Sequence, residues 1–199
     1  MKINLASSFI SFLLFLLIIT GCDNKDSIIT PPPKGSVLLP LNKGNEWKFL
    51  RTIYDTSGAI ISRDTIIRII SNDSLVYNSY WSFEPNKEEL FRNSDEGLWK
   101  FWGEPRLIYR YPAKVGTIAN HLNSSSEIIS IDTTISTPAG NFKCYHYSID
   151  FFGLHHNHFI SPDIGFIKVE YADFKIKTPT YHIEPYVYEC DELISYNIK

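Results

Sequence analysis

The sequence predicts an all-β fold, a single antiparallel meander forming a strongly curved sheet or open barrel. Three observations lead there. Apolar and polar residues alternate with a period of two through most of residues 46–197, no stretch of ten or more residues keeps a 3.6-residue apolar spacing, and turn signals recur between the alternating runs. Short turns make successive strands antiparallel neighbours, and the natural twist of a long meander curls it.

In chain order the alternation places strands at 46–55, 59–70, 74–84, 88–93, 98–102, 106–111, 127–136, 142–151, 154–161, 166–175 and 182–197. Thr56-Ser57-Gly58, Ser71-Asn72-Asp73, Asp95-Glu96-Gly97, Pro138-Ala139-Gly140 and Pro162-Asp163-Ile164-Gly165 punctuate them with residues that tolerate tight turns. Leu75, Tyr77, Trp81 and Phe83 share one strand face, the spacing a sheet needs to bury them.

Three hairpins can be taken to register. A three-residue Pro138–Gly140 loop pairs Thr137 with Asn141, so Ile131 faces Tyr147 and Ile129 faces Ile149. A two-residue Phe152-Gly153 loop pairs Ile149 with His156 and Tyr147 with His158, leaving Asp150 opposite His155 on the other face. A four-residue Pro162–Gly165 loop pairs Ile160 with Ile167, His158 with Val169 and His156 with Tyr171. One face then carries Ile129, Ile131, Tyr145, Tyr147, Ile149, Leu154, Ile160, Ile167, Val169 and Tyr171. The other carries Asp132, His146, Ser148, Asp150, His155, Asn157, Lys168 and Glu170, as a half-solvated sheet requires.

The N-terminus has a different character. Lys2 precedes an apolar run from Phe9 to Ile19, about half the roughly 20 residues a membrane-spanning helix needs, so residues 1–21 read as a signal peptide. Ile19-Thr20-Gly21-Cys22 resembles the lipobox of bacterial lipoproteins, which implies lipidation of Cys22, a membrane partner through that anchor, and a cell-envelope location, periplasmic or cell-surface. Residues 22–36, with Pro31-Pro32-Pro33 in extended polyproline geometry, form a tether, and 37–199 the all-β domain. Asp23-Asn24-Lys25-Asp26-Ser27 resembles lipoprotein surface-sorting signals of Bacteroidetes type.

Pro40-Leu41-Asn42-Lys43-Gly44-Asn45-Glu46-Trp47, Thr137-Pro138-Ala139-Gly140-Asn141-Phe142-Lys143-Cys144-Tyr145 and Ser161-Pro162-Asp163-Ile164-Gly165-Phe166-Ile167-Lys168 resemble landmarks of a broad group of β-rich envelope lipoproteins of the same bacteria. The group has no assigned activity, so the resemblance implies fold and location and adds no catalytic residue.

Without residues 1–21 the chain carries 18 basic and 22 acidic residues, a formal charge of −4. Its Lys and Arg residues are interspersed with acids, which argues against nucleic acid as a partner. No Gly-x-Ser-x-Gly, His-Glu-x-x-His, phosphate-cradling loop or Cys-x-x-Cys is present, so no catalytic residue, metal site or cofactor is assigned. The adjacent carboxylates Glu88-Glu89 and Asp191-Glu192 point to opposite strand faces and read as solvated charge.

The candidate ligand-facing residues are His156, His158, Tyr147 and Tyr171, which the registers place together on the apolar face. Buried imidazoles need a hydrogen-bond partner or a ligand, and tyrosine hydroxyls are available. Cys144 and Cys190 form an even pair, a candidate disulfide, with Cys144 expected on the polar face and Cys190 turned inward. Two functional readings stand. The first is a lipid-anchored, non-enzymatic binding or scaffolding domain for a hydrophobic or glycan ligand; the alternative is an envelope enzyme or metal-binding protein using His155–His158.

Overall fold

Twelve strands follow one another in the computed structural model of the protein, each antiparallel to its partners. It describes residues 35–199 except 75–79, 85–88, 102, 122 and 178–181. The signal peptide, Cys22 and nearly all of the tether, with Leu75, Tyr77 and Glu88, therefore lie outside the described residues. β1 (Glu46–Tyr54), β2 (Ile60–Ser74), β3 (Tyr80–Glu84), β4 (Leu90–Ser94), β5 (Gly97–Phe101) and β6 (Pro105–Arg110) form the first half. β7 (Ile118–His121), β8 (Ser124–Thr137), β9 (Gly140–Phe151), β10 (Leu154–Ser161), β11 (Gly165–Lys177) and β12 (His182–Asn197) form the second.

The sheet order is β6-β5-β4-β3-β2-β1-β12-β11-β10-β9-β8-β7. The first and last strands pair, Arg51 opposite Asp191, and the wall becomes a nearly closed barrel whose remaining seam lies between β6 and β7. At the seam the His121 side chain meets the Leu107 backbone in place of a strand ladder.

In such a meander every second turn falls at the same end. The turns after β2, β4, β6, β8 and β10 mark one end, and the turns after β1, β3, β5, β7, β9 and β11 mark the other. The first end is closed by the chain itself. Leu38 and Leu39 are buried and Leu41 nearly so, packed with Trp47, Phe91, Phe166 and the rest of the core. Polar bonds hold this plug: Val37 N–H donates to Asp163 at 2.9 Å, Asp163 N–H donates back to the Val37 carbonyl at 2.7 Å, and Asn93 Nδ2 donates to the Leu39 carbonyl at 2.7 Å. Gly165 permits the fit. Its φ is +103°, and a Cβ there would lie 2.7 Å from Leu39 Cδ1.

Several registers hold and two shift. Phe152 and Gly153 both take positive φ, at 53° and 83°, as the predicted two-residue turn requires, and His156 opposes Ile149 while His158 opposes Tyr147 and Val169. The Pro138 turn is shorter than expected. Thr137 pairs with Gly140, and two shifts along β8 put Ile128 opposite Tyr147, with Ile128 buried and Ile129 exposed, the reverse of the predicted face. Another shift sets Ile160 opposite Phe166 in place of Ile167. β7, a four-residue strand, is absent from the sequence reading.

Candidate functional site

The interior of the open end is not the apolar face that the alternation suggests. Trp47 and Phe49 continue along β1 to Arg51; Ile70 and Ile66 flank Arg68 on β2; Leu193 leads to Asp191 and Glu189 on β12. Each charge sits in the phase of a buried neighbour, so it faces the lumen.

Asp191 is the centre. Its carboxylate is 1% exposed and accepts a bidentate fork from Arg51, Nε and Nη2 each at 2.8 Å. Arg51 also reaches Glu189 at 3.0 Å, and Arg68 lies 3.6 Å from the second Asp191 oxygen. The hydrogen bond to Asp191 is the main reason the Arg51 guanidinium is held protonated more firmly than usual, against the effect of burial. Arg68 rests over the Phe49 ring, 5.4 Å from its centroid, and beside Tyr171. Across the lumen Lys100 binds Glu89 at 3.0 Å. Burial alone would raise the Glu89 carboxyl, but Lys100 and Arg68 overturn that and hold it below its ordinary value.

The predicted pair sits two strands away along the same wall, His158 opposite Val169, which itself opposes Asp191. His158 Nδ1 lies 2.6 Å from the Tyr109 hydroxyl, and its ring packs 5.9 Å from Tyr171. Burial first, then the neighbouring His156, Lys100 and Arg68, pushes the His158 imidazole down to about 3, so it is neutral at pH 7. His156 accepts the Ala172 N–H at 3.0 Å through Nδ1, which assigns its neutral ring proton to Nε2, and its ring lies 5.8 Å from Tyr171. Tyr147 is fully buried, its hydroxyl donating to the Arg110 carbonyl at 2.9 Å, while Tyr109 packs on its edge. All four predicted residues thus face the interior. His156, His158 and Tyr171 lie beside the charges; Tyr147, opposite His158, is committed to the wall by its bond to Arg110.

Sequence reasoning missed Arg51, Arg68, Glu89, Lys100, Tyr109, Glu189 and Asp191. Asp191, expected as solvated charge, is instead buried. The available signal was a charge in the inward phase of a strand, as at Ile66-Arg68-Ile70.

Cys144, expected among polar residues, is buried, and Cys190, expected to turn inward, faces away from the lumen. Cys144 is fully buried in the core, and Cys190 lies on the face of β12 away from Asp191, beside Lys168, Glu170 and Glu192. Both are free thiols, and burial pushes each up to about 12. His155 points outward to Ser148 at 3.3 Å, and His146, Asn157, Glu170 and Lys168 link across the outer face. Among the described residues no three His, Cys, Asp or Glu side chains gather as a metal site.

No protein-family model matches the chain, and no curated protein does. Among solved structures it is similar to a "putative lipoprotein" from Parabacteroides distasonis, at 14% identity over 81% of this chain and 99% of that one, with a TM-score of 0.36.

Proposed function

We propose that the chain is a lipid-anchored cell-envelope protein whose barrel is a non-enzymatic binding domain, and that its mouth takes a neutral, polyhydroxylated ligand such as a glycan segment. One observation carries the reading. Three cations, Arg51, Arg68 and Lys100, alternate with three acids, Glu89, Glu189 and Asp191, around the rings of Tyr171, His156 and His158. Hydroxyl groups can accept from the cations and donate to Glu89 and Glu189, while Asp191 holds Arg51 in place, and pyranose faces can lie on the rings. An alkyl chain in the same place would strip the remaining water from Arg51, Arg68, Lys100, Glu89 and Glu189 and return nothing to them. Of the two ligand classes open at the outset, the glycan is therefore preferred.

The alternative enzymatic or metal reading draws no support from the histidines. His158 and His156 are both occupied by internal hydrogen bonds, and neither thiol lies at the mouth.

Saturation-transfer NMR of the protein with maltoheptaose, xylohexaose and chitohexaose, and with oleate as competitor, tests the proposal. The expected result is contact with at least one oligosaccharide, lost in Arg68→Met while circular dichroism stays unchanged. Binding of oleate alone, or saccharide contact that Arg68→Met leaves intact, rejects it.

A further inference from the structure

We infer that the seam between β6 and β7 holds a second binding site, on the outside of the barrel and separate from the lumen, for a small zwitterion of the amino-acid or dipeptide kind. A cavity of about 400 Å³ opens there, lined from β5, β6 and the β4–β5 turn on one side and from β7 on the other. Its size lies toward the lower end of the roughly 300–1,000 Å³ that ligand pockets span, which suits a small molecule.

The walls place the cavity outside. Leu98 and Tyr109 pair on the lumen side of β5 and β6, and the next pair, Trp99 with Leu107, turns the other way after a shift in register. Leu107 and Ala119, both buried, supply the apolar part of the lining. Trp99 is fixed in place, its Nε1 donating to the Ser94 hydroxyl at 2.9 Å and its ring lying 5.5 Å from the Arg92 guanidinium.

Two features ask for a ligand. His121 Nε2 is buried without a hydrogen-bond partner among the described residues, although nearly all buried polar atoms have one. Burial first, then Arg106, favours the neutral ring, in which one nitrogen donates and the other accepts. The second feature is a pair of opposite charges that do not meet. Arg110 stands opposite Gly97 in the ladder, and the Tyr111 N–H donates to the Glu96 carbonyl at 3.0 Å, so Arg110 and Glu96 rise from neighbouring backbone. Both line the cavity, yet neither side chain bonds to the other or to any other described residue. Arg106, on the same strand, is by contrast taken by Glu104 at 2.9 Å.

These charges select the ligand. A lone anion at Arg110 would meet Glu96, and a lone cation at Glu96 would meet Arg110. A hydrocarbon would deprive both of water and leave the imidazole nitrogen as it is. An amino acid complements the set. Its carboxylate accepts the planar fork of Arg110, its ammonium donates to Glu96, a small side chain rests on Leu107 and Ala119, and a remaining polar group draws the His121 ring round to it.

Isothermal titration calorimetry on the full chain at pH 7 tests the inference, with alanylalanine as the probe. N-acetyl-alanylalanine keeps the carboxylate and loses the cation; alanylalanine amide keeps the cation and loses the carboxylate. Alanylalanine is expected to bind, and each blocked form at least roughly tenfold more weakly. Arg110→Gln and Glu96→Gln are expected to weaken it to a similar degree with circular dichroism unchanged, since both side chains are exposed. His121→Leu is expected to weaken it too while leaving the free protein at least as stable, because the orphaned nitrogen is gone. Arg68→Met, which acts in the lumen, is expected to leave dipeptide binding untouched, so this site and the one proposed above stand or fall separately. No heat with alanylalanine overturns the inference. So does a blocked form that binds equally well, or an Arg110→Gln or Glu96→Gln protein that matches the parent. Binding of phosphoethanolamine in place of the dipeptide overturns it as well, because the anion taken would then be a phosphate.

Discussion

Removing the Asp191 carboxylate tests whether the lumen charges form one mutually dependent cluster. In Asp191→Ala the bidentate partner of Arg51 disappears and Arg68 loses its nearest acid. Breaking a fully buried pair costs about 3–5 kcal/mol because the surviving charge stays desolvated. The cost here is smaller, since the Arg51 side chain is 30% exposed and retains Glu189 at 3.0 Å. The expected loss is about 2–3 kcal/mol, which for a body of this size lowers the melting temperature by roughly 5–10 °C. Urea unfolding followed by tryptophan fluorescence measures it as a lower midpoint with an unchanged slope. The double variant Arg51→Met with Asp191→Leu removes both charges and is expected within about 1 kcal/mol of the parent. A loss below about 0.5 kcal/mol in Asp191→Ala refutes the reasoning, because the guanidiniums would then be at ease in solvent.

Two further outcomes follow from buried groups. His158 is held near 3 against about 6.5 in an unfolded chain, so the unfolded state binds more protons between those values; stability is complete above pH 6.5 and drains as pH falls toward 3. Unfolding free energies compared at pH 7 and 4 are expected to fall roughly 2–3 kcal/mol further in the parent than in His158→Gln, whose amide can still accept from Tyr109, and parallel curves would refute the burial argument. Cys144 and Cys190, free and protonated, are expected to resist alkylation in the folded protein and both to react in denaturant without reductant; a thiol pair that stays unreactive until reduced would show a disulfide instead.

Period-two alternation was sufficient for the fold class because every wall strand has one buried side. It also placed His156 and His158 correctly, since the Phe152-Gly153 turn permits one register for the hairpin it closes. It failed where an extra residue enters a strand. The two shifts in β8 reverse Ile128 and Ile129, because a bulge leaves no mark in composition. β7 was invisible for a different reason: Ile118–His121 is too short for alternation to register. The lumen charges were misread because a pattern argument assumes that inward means apolar. Arg68 between Ile66 and Ile70 violates that assumption, and such a violation marks the kind of place where binding is to be sought.

The ladder between β1 and β12 governs how the molecule can be made. Arg51 and Asp191 are 140 residues apart, whereas every other neighbouring pair of strands is joined by a local hairpin. Two six-stranded wings can therefore form early, each from contacts that close within microseconds to milliseconds, while the ring joint waits for the final strand. A chain still lacking its C-terminus cannot complete the wall and stays open enough to be threaded. The mid-chain segment 111–117 crosses a seam that carries no ladder, so a circular permutant cut at 113–115, between the backbone bonds of Tyr111 to Glu96 and of Gly116 and Thr117 to Ile128, would sever no sheet pairing.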